Sequence, residues 1–351
     1  MGKRLKILFT DFYPGFRAER NFYYQWLTQH GYEAEISDKP DYVFFSAFGD
    51  EHLRYNDCVK IFVTGECQTP DFNLCDYAIG FDYLDFGDRY LRFPLYFTYN
   101  PIAYEKMLQK HLQTDEEIAT RKAFCSFVYS NGRATSEREA FFRALDSVRH
   151  VDSGGKLLNN IGGPVEDKIA FEQQHRFAIA FENTQYPGYS TEKIVEAFAA
   201  GGIPIYYGDP EIARVFNPRA FINFNDFNSI EEVVKRVVEI DNDPALYKQY
   251  VQAPALLDPQ LRDKAMTDMD AFLTHIFEQD KESAKRYSRN YWGVRIVQER
   301  KRQVNAYHRS WYYRLIQLYM QTIYPLARKN QHLWRITQQL MKLTSPSAKQ
   351  T

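Results

Sequence analysis

The sequence predicts an α/β protein built from two doubly wound domains and closed by a basic helical tail. Three observations predict it. A chain of 351 residues exceeds what one ordinary hydrophobic core uses and suits two. Apolar runs of strand length alternate with segments of helical period, twice over. From Lys285 onward Glu299 is the only acid, while lysines and arginines recur among aromatic residues.

The first series places strands at Lys6–Phe9, Tyr42–Phe45, Lys60–Val63, Tyr77–Ile79 and Phe93–Phe97, with a helix over Asn21–His30 between the first two. The second begins near Ala123. It runs strand Phe124–Tyr129, helix Arg138–Val148, strand Phe177–Phe181, helix Thr191–Ala200 and strand Ile203–Tyr207. A short helix Glu211–Phe216, a strand Phe221–Phe224 and a helix Ser229–Ile240 complete it. The polar run Lys110–Arg121 marks the junction, which divides the chain into domains at 1–115 and 116–280 with a tail at 281–351.

The charge balance of 44 basic against 45 acidic residues, net -1, gives no basic field of the kind a nucleic-acid binder needs. Cys58, Cys67, Cys75 and Cys125 fit neither a zinc ribbon nor a redox pair and are read as reduced thiols in a cytosolic protein. After the basic start, the apolar stretch Ile7-Leu8-Phe9 is too short for a signal peptide or a membrane span. The expected location is therefore cytoplasmic. The basic, aromatic tail is a candidate for peripheral contact with the inner face of the cytoplasmic membrane; the alternative is a solvated helix packed on protein.

The stretch from Phe177 to Gly208 carries the most chemistry. A buried strand ends in Glu182-Asn183, a Gly/Pro loop follows, and a helix opens with Thr191, Glu192 and Lys193. Ligands in open α/β sheets sit beyond the carboxyl ends of strands, which puts Asn183, Tyr189, Glu192 and Lys193 at a cleft. Free N–H groups and a partial positive charge at a helix start suit a diphosphate; Lys193 adds a full charge, and the Glu192 carboxylate suits ribose hydroxyls. Locally, a dipole-complementing Glu192 and a solvated Lys193 fit equally well. The acidic pairs Asp241/Asp243 and Asp268/Asp270 have the Asp-x-Asp form of a metal site but fall in helical segments, where solvated or capping roles are expected.

Phe181-Glu182-Asn183, Tyr189-Ser190-Thr191-Glu192-Lys193 and Gly201-Gly202-Ile203-Pro204 through Gly208 together resemble the donor-binding signature of the bacterial α1,3/4-fucosyltransferases, glycosyltransferase family 10. The resemblance extends through Thr64-Gly65-Glu66, Pro70–Asn73, Cys75–Asp82 and Asp88–Arg92, and through Phe127–Asn131, Arg138 and Gly155–Gly162. It implies the GT-B fold, two facing Rossmann-like domains, with GDP-fucose in the second and the acceptor in the first. It further implies Glu66 as general base in an inverting transfer and Arg138 on the diphosphate beside Asn183, Tyr189, Glu192 and Lys193.

The implied acceptor is the 3-hydroxyl, or the 4-hydroxyl, of N-acetylglucosamine in a lactosamine-type glycan such as a lipopolysaccharide O-chain. Two cationic side chains and a helix terminus allow GDP to leave without a dedicated metal site, though stimulation by Mn²⁺ or Mg²⁺ is compatible with them. A homodimer through the tail is a further expectation. Two other readings stay open: a transferase of this fold with another nucleotide sugar or acceptor, and a non-catalytic glycan- or membrane-binding protein on a transferase scaffold.

Overall fold

A computed structural model describes residues 3–132 and 134–327. The chain separates into two compact units, one formed by Met1–Thr98 with Gln260–Tyr313, the other by Tyr99–Pro259 with the stretch from Arg314.

The first unit holds a six-stranded, all-parallel sheet: β1 Arg4–Thr10, β2 Glu33–Ile36, β3 Tyr42–Phe45, β4 Val59–Val63, β5 Tyr77–Gly80 and β6 Tyr90–Arg92, in spatial order β2-β1-β3-β4-β5-β6. Every residue of β3, β4 and β5 is buried, as expected of interior strands covered on both faces. The edge strands β2 and β6 carry polar residues and are absent from the expectation drawn from apolar runs. The strand expected over Phe93–Phe97 is instead a short 3-10 helix, Leu95–Phe97, introduced by Pro94. Proline offers no N–H to a sheet ladder, and the burial of Tyr96 and Phe97 had mimicked strand hydrophobicity.

The second unit holds a five-stranded parallel sheet: β7 Ala123–Phe127, β8 Val151–Ser153, β9 His175–Phe181, β10 Ile203–Tyr207 and β11 Ile222–Asn223, in order β11-β10-β9-β7-β8. Counted from each unit's first strand, both sheets follow the order 2-1-3-4-5, the first adding β6 at its far edge. In such sheets the crevice for a ligand opens between strands one and three, where the order reverses. That is β1/β3 in the first unit and β7/β9 in the second.

Both domain junctions differ from those read from composition. The segment 99–115 belongs to the second unit because Lys110 is buried there and its Nζ donates to the carbonyls of Tyr250, Val251 and Ala253 at 2.8–3.0 Å. The return to the first unit begins at Gln260, not after residue 280. Helix Leu261–Glu278 packs there, with Phe277 against Tyr42 and Tyr32 and Trp26 Nε1 donating to Asp270 at 2.6 Å. The helix breaks after Glu278, and Asp280 and Asn290 cap new helices at Lys281–Ala284 and Tyr291–Arg309.

Among the described residues no helix is long and apolar enough to cross a membrane, and the four cysteines form no disulfide. The tail continues through Trp311–Leu318 to Ala327 with Trp311, Leu318, Ile323 and Leu326 exposed. Expectations for 328–351 lie outside the described residues.

Candidate active site

Five of the six residues singled out from the sequence lie in the second unit, near the carboxyl end of β9. Glu182 follows that strand and is fully buried, its N–H donating to Tyr207 O at 2.7 Å. Its carboxylate receives the Thr191 N–H at 2.7 Å, the Thr191 hydroxyl at 2.9 Å and Lys193 Nζ at 2.8 Å. Thr191 is the N-cap of helix Glu192–Ala199, so Glu182 anchors the start of that helix to the end of the strand.

Lys193 Nζ also donates to Thr191 Oγ1 at 2.7 Å, which uses two of its three N–H donors. Burial opposes the Lys193 charge, but Glu182 and Glu192 outweigh it, so its pKa is raised and the ammonium persists. Glu192 stands 3.7 Å from Lys193 at the same helix end. Glu182 stands within the motif, but no local pattern assigns it a role. An acid directly after five buried strand residues was the available signal.

Arg138 lies in helix Ser136–Val148, is 1% exposed, and bridges the two strands that flank the switch point. One guanidinium nitrogen donates to Asn131 O beyond β7 at 3.2 Å; the other donates to Phe181 O at 3.1 Å and Asn183 Oδ1 at 2.9 Å. The guanidinium also lies 4.2 Å from the centroid of the Tyr129 ring, whose hydroxyl donates to Ile179 O and accepts from the Phe181 N–H. Arg138 thus shapes the crevice through carbonyls, and its Nε has no hydrogen-bond partner among the described residues. Gly155 makes the neighbouring loop possible, because a Cβ there would overlap the Tyr129 backbone.

Tyr189 is buried at the end of a tight turn that Gly188 enters at φ 82°, and its carbonyl accepts from the Tyr206 hydroxyl at 3.4 Å. The backbone at Tyr189 is therefore part of the loop scaffold.

The sixth residue, Glu66, belongs to the first unit. It is exposed in the loop after β4, where its N–H donates to Thr64 Oγ1 at 2.9 Å and its carbonyl accepts from the Gln68 N–H at 2.7 Å. Gly65 lies against Leu95, which a Cβ would crowd.

The acidic pairs have other partners. Asp241 is ion-paired with Arg149 and Arg176, and Asp243 caps helix Pro244–Gln252. Asp270 receives Trp26 Nε1, and Asp268 is exposed. Among the described residues no group of three or more His, Cys, Asp or Glu side chains is placed to hold a metal ion.

Two all-parallel, doubly wound α/β units, each with a switch point in its strand order, are the architecture of the GT-B glycosyltransferase fold. The matches place it further. Residues 7–99 match the alpha-(1,3)-fucosyltransferase FucT N-terminal domain, and residues 118–287 match the C-terminal domain of glycosyltransferase family 10, the fucosyltransferases. The chain belongs to glycosyltransferase family 10.

It is 39% identical over 239 residues to alpha-(1,3)-fucosyltransferase FucT of Helicobacter pylori, an alignment covering 59% of this chain and 49% of that relative. The chain thus spans about half the length of this curated relative. The crystal structure of an alpha1,3-fucosyltransferase with GDP superimposes with a TM-score of 0.66 at 30% identity, covering 80% of this chain and 92% of that one. The structure of an alpha1,3-fucosyltransferase with GDP-fucose gives 0.65 at 29%, with the same coverage.

Proposed function

We propose that the protein is an inverting fucosyltransferase that moves L-fucose from GDP-fucose to the 3-hydroxyl, or the 4-hydroxyl, of N-acetylglucosamine in a lactosamine-type glycan. The observation that carries the donor half is the convergence of Lys193, the start of helix Glu192–Ala199 and Arg138 on one strand end. A diphosphate there meets the helix N–H groups, the helix dipole and the ammonium together. Glu192 at the same helix end is assigned to the ribose hydroxyls. The support for fucose as the sugar is family membership together with a relative's structure that contains GDP-fucose.

In the proposed transfer the acceptor oxygen attacks the anomeric carbon from the face opposite the nucleotide. The bond from that carbon to the β-phosphate oxygen breaks, and Glu66 takes the hydroxyl proton. The developing charge on GDP is stabilised by Lys193 and the helix terminus, with Arg138 holding Asn183 and the strand end in place.

Incubating the purified protein with GDP-fucose and N-acetyllactosamine tests the reading. A fucosylated trisaccharide and released GDP are expected, and intact substrates would refute it. Calorimetry with GDP-fucose against GDP-mannose separates it from a transferase of another sugar.

A further inference from the structure

A second ammonium lies beside the helix that carries Lys193, outside the sequence motif that marks the site. Lys168 opens the five-residue helix Lys168–Glu172, which leads into β9 and packs against helix Glu192–Ala199. Its Nζ donates to Glu196 Oε2 at 2.9 Å and stands 3.9 Å from Glu172 Oε1. Glu196 is therefore its hydrogen-bonded partner. Burial opposes the Lys168 charge, but Glu172 and Glu196 outweigh it, so its pKa is raised and the ammonium persists.

Glu196 sits one turn into the helix whose start holds Glu192 and Lys193. Four residues after Glu192 and three after Lys193, it is a surface neighbour of both. Lys193 already pairs with Glu182 at 2.8 Å and stands 3.7 Å from Glu192, so an unheld Glu196 would be a third carboxylate competing for that one ammonium. Lys168 removes the competition.

Two phenols register the same grouping. Burial pushes the Tyr129 phenol up, and Arg138, Lys168 and Lys193 pull it down in that order. The Tyr99 phenol is likewise raised, by burial first and then by Glu192 and Glu196, against the pull of Lys168 and Lys193. Lys168 thus shares one electrostatic neighbourhood with the two cations at the strand end. Glu182, Glu192 and Glu196 bring carboxylates to it, and Lys193 and Lys168 bring the ammoniums that offset them. Glu172, whose carboxyl burial pushes up to about 7, adds a further negative charge only as pH rises through that value. A diphosphate arriving at the helix start meets the sum of these charges.

We propose that Lys168 is a positioning residue for the donor diphosphate: by holding Glu196 it keeps that carboxylate from Lys193 and leaves the Lys193 ammonium to the ligand. Its action runs through Glu196 and requires no contact with the nucleotide. The proposal rests on the reading above that the diphosphate of GDP binds at the start of helix Glu192–Ala199.

Calorimetry with GDP on the unaltered chain, Lys168→Met, Glu196→Gln and the double variant tests it. The GDP Kd is expected to rise about tenfold in K168M and to return to within about threefold of the parent in the double variant, because without the carboxylate its partner is not needed. In steady state the K168M change falls on the donor KM, with the N-acetyllactosamine KM unaltered. A K168M Kd within about twofold of the parent overturns the proposal. So does a double variant that binds as weakly as K168M, the result of a purely structural tie between the two helices.

E196Q decides the matter if K168M fails to fold. With the carboxylate gone and Lys168 left beside Glu172, E196Q is expected to bind GDP at least as tightly as the parent, and a Kd raised about threefold or more overturns the proposal. If the unaltered chain binds no GDP, the donor reading falls and the proposal with it. A parent that binds GDP beside an indifferent K168M sinks the role of Lys168 alone.

Discussion

Lys193 and Glu182 form a 2.8 Å ion pair in which the carboxylate is fully buried and the ammonium sits at a helix start. The pair ties strand end to helix start. It also keeps a cation poised at the crevice, since Glu182 holds the ammonium in place before any ligand arrives.

Replacing Lys193 with Met should therefore cost both stability and nucleotide affinity. Removing one partner leaves Glu182 buried, with only the Thr191 donors remaining. A loss of about 3 kcal/mol is expected, at the low end for breaking a buried pair. Thermal unfolding with and without GDP checks both effects. An unchanged melting temperature would show that Glu182 does not depend on its partner.

Arg138→Lys should separate charge from shape. The three guanidinium hydrogen bonds run to Asn131, Phe181 and Asn183, and one ammonium on a flexible stem cannot span them all. Denaturant titration should show a loss of about 2 kcal/mol, in line with orphaned buried carbonyls. Equal stability of the two proteins would argue against a bridging role.

Glu66→Gln should bind GDP like the parent protein yet turn over about 10²–10⁴-fold more slowly, the range for losing a general base. Initial rates with N-acetyllactosamine give the answer. Parental turnover would remove Glu66 from the proposed chemistry.

Stability should fall between about pH 5 and pH 7 because of Glu172. Burial pushes its carboxyl up to about 7 from an ordinary value of 4.5, against the pull of Lys168. The folded state thus favours the protonated acid. Its contribution is complete below the unfolded pKa and lost as pH rises through the folded one, a change on the order of 3 kcal/mol. Glu172→Gln should flatten this part of the stability profile in urea titrations across the window. An unaltered slope would assign the dependence to other groups.

Much of the architecture was legible because parallel strands covered on both faces must be apolar throughout. β3 and β10 announce themselves as unbroken runs, β4 from Ile61 and β9 from Phe177, and the helix start at Thr191 follows from a polar cap ahead of an apolar stripe. The edge strands β2, β6 and β8 left no such mark, since each is half exposed or only three residues long.

The site divides in the same way. The amino-acid sequence by itself determined which residues stand at strand ends and helix starts, because alternation of apolar runs and caps is a local property. It could not decide partners remote along the chain: Glu182 with Lys193, Arg138 with Asn183, Asp11 with His52. Nor could it place the return of the chain at Gln260. Those pairings exist because each parallel sheet reverses its strand order and brings distant loops together at its own switch point, a consequence of closing the fold that no local pattern encodes.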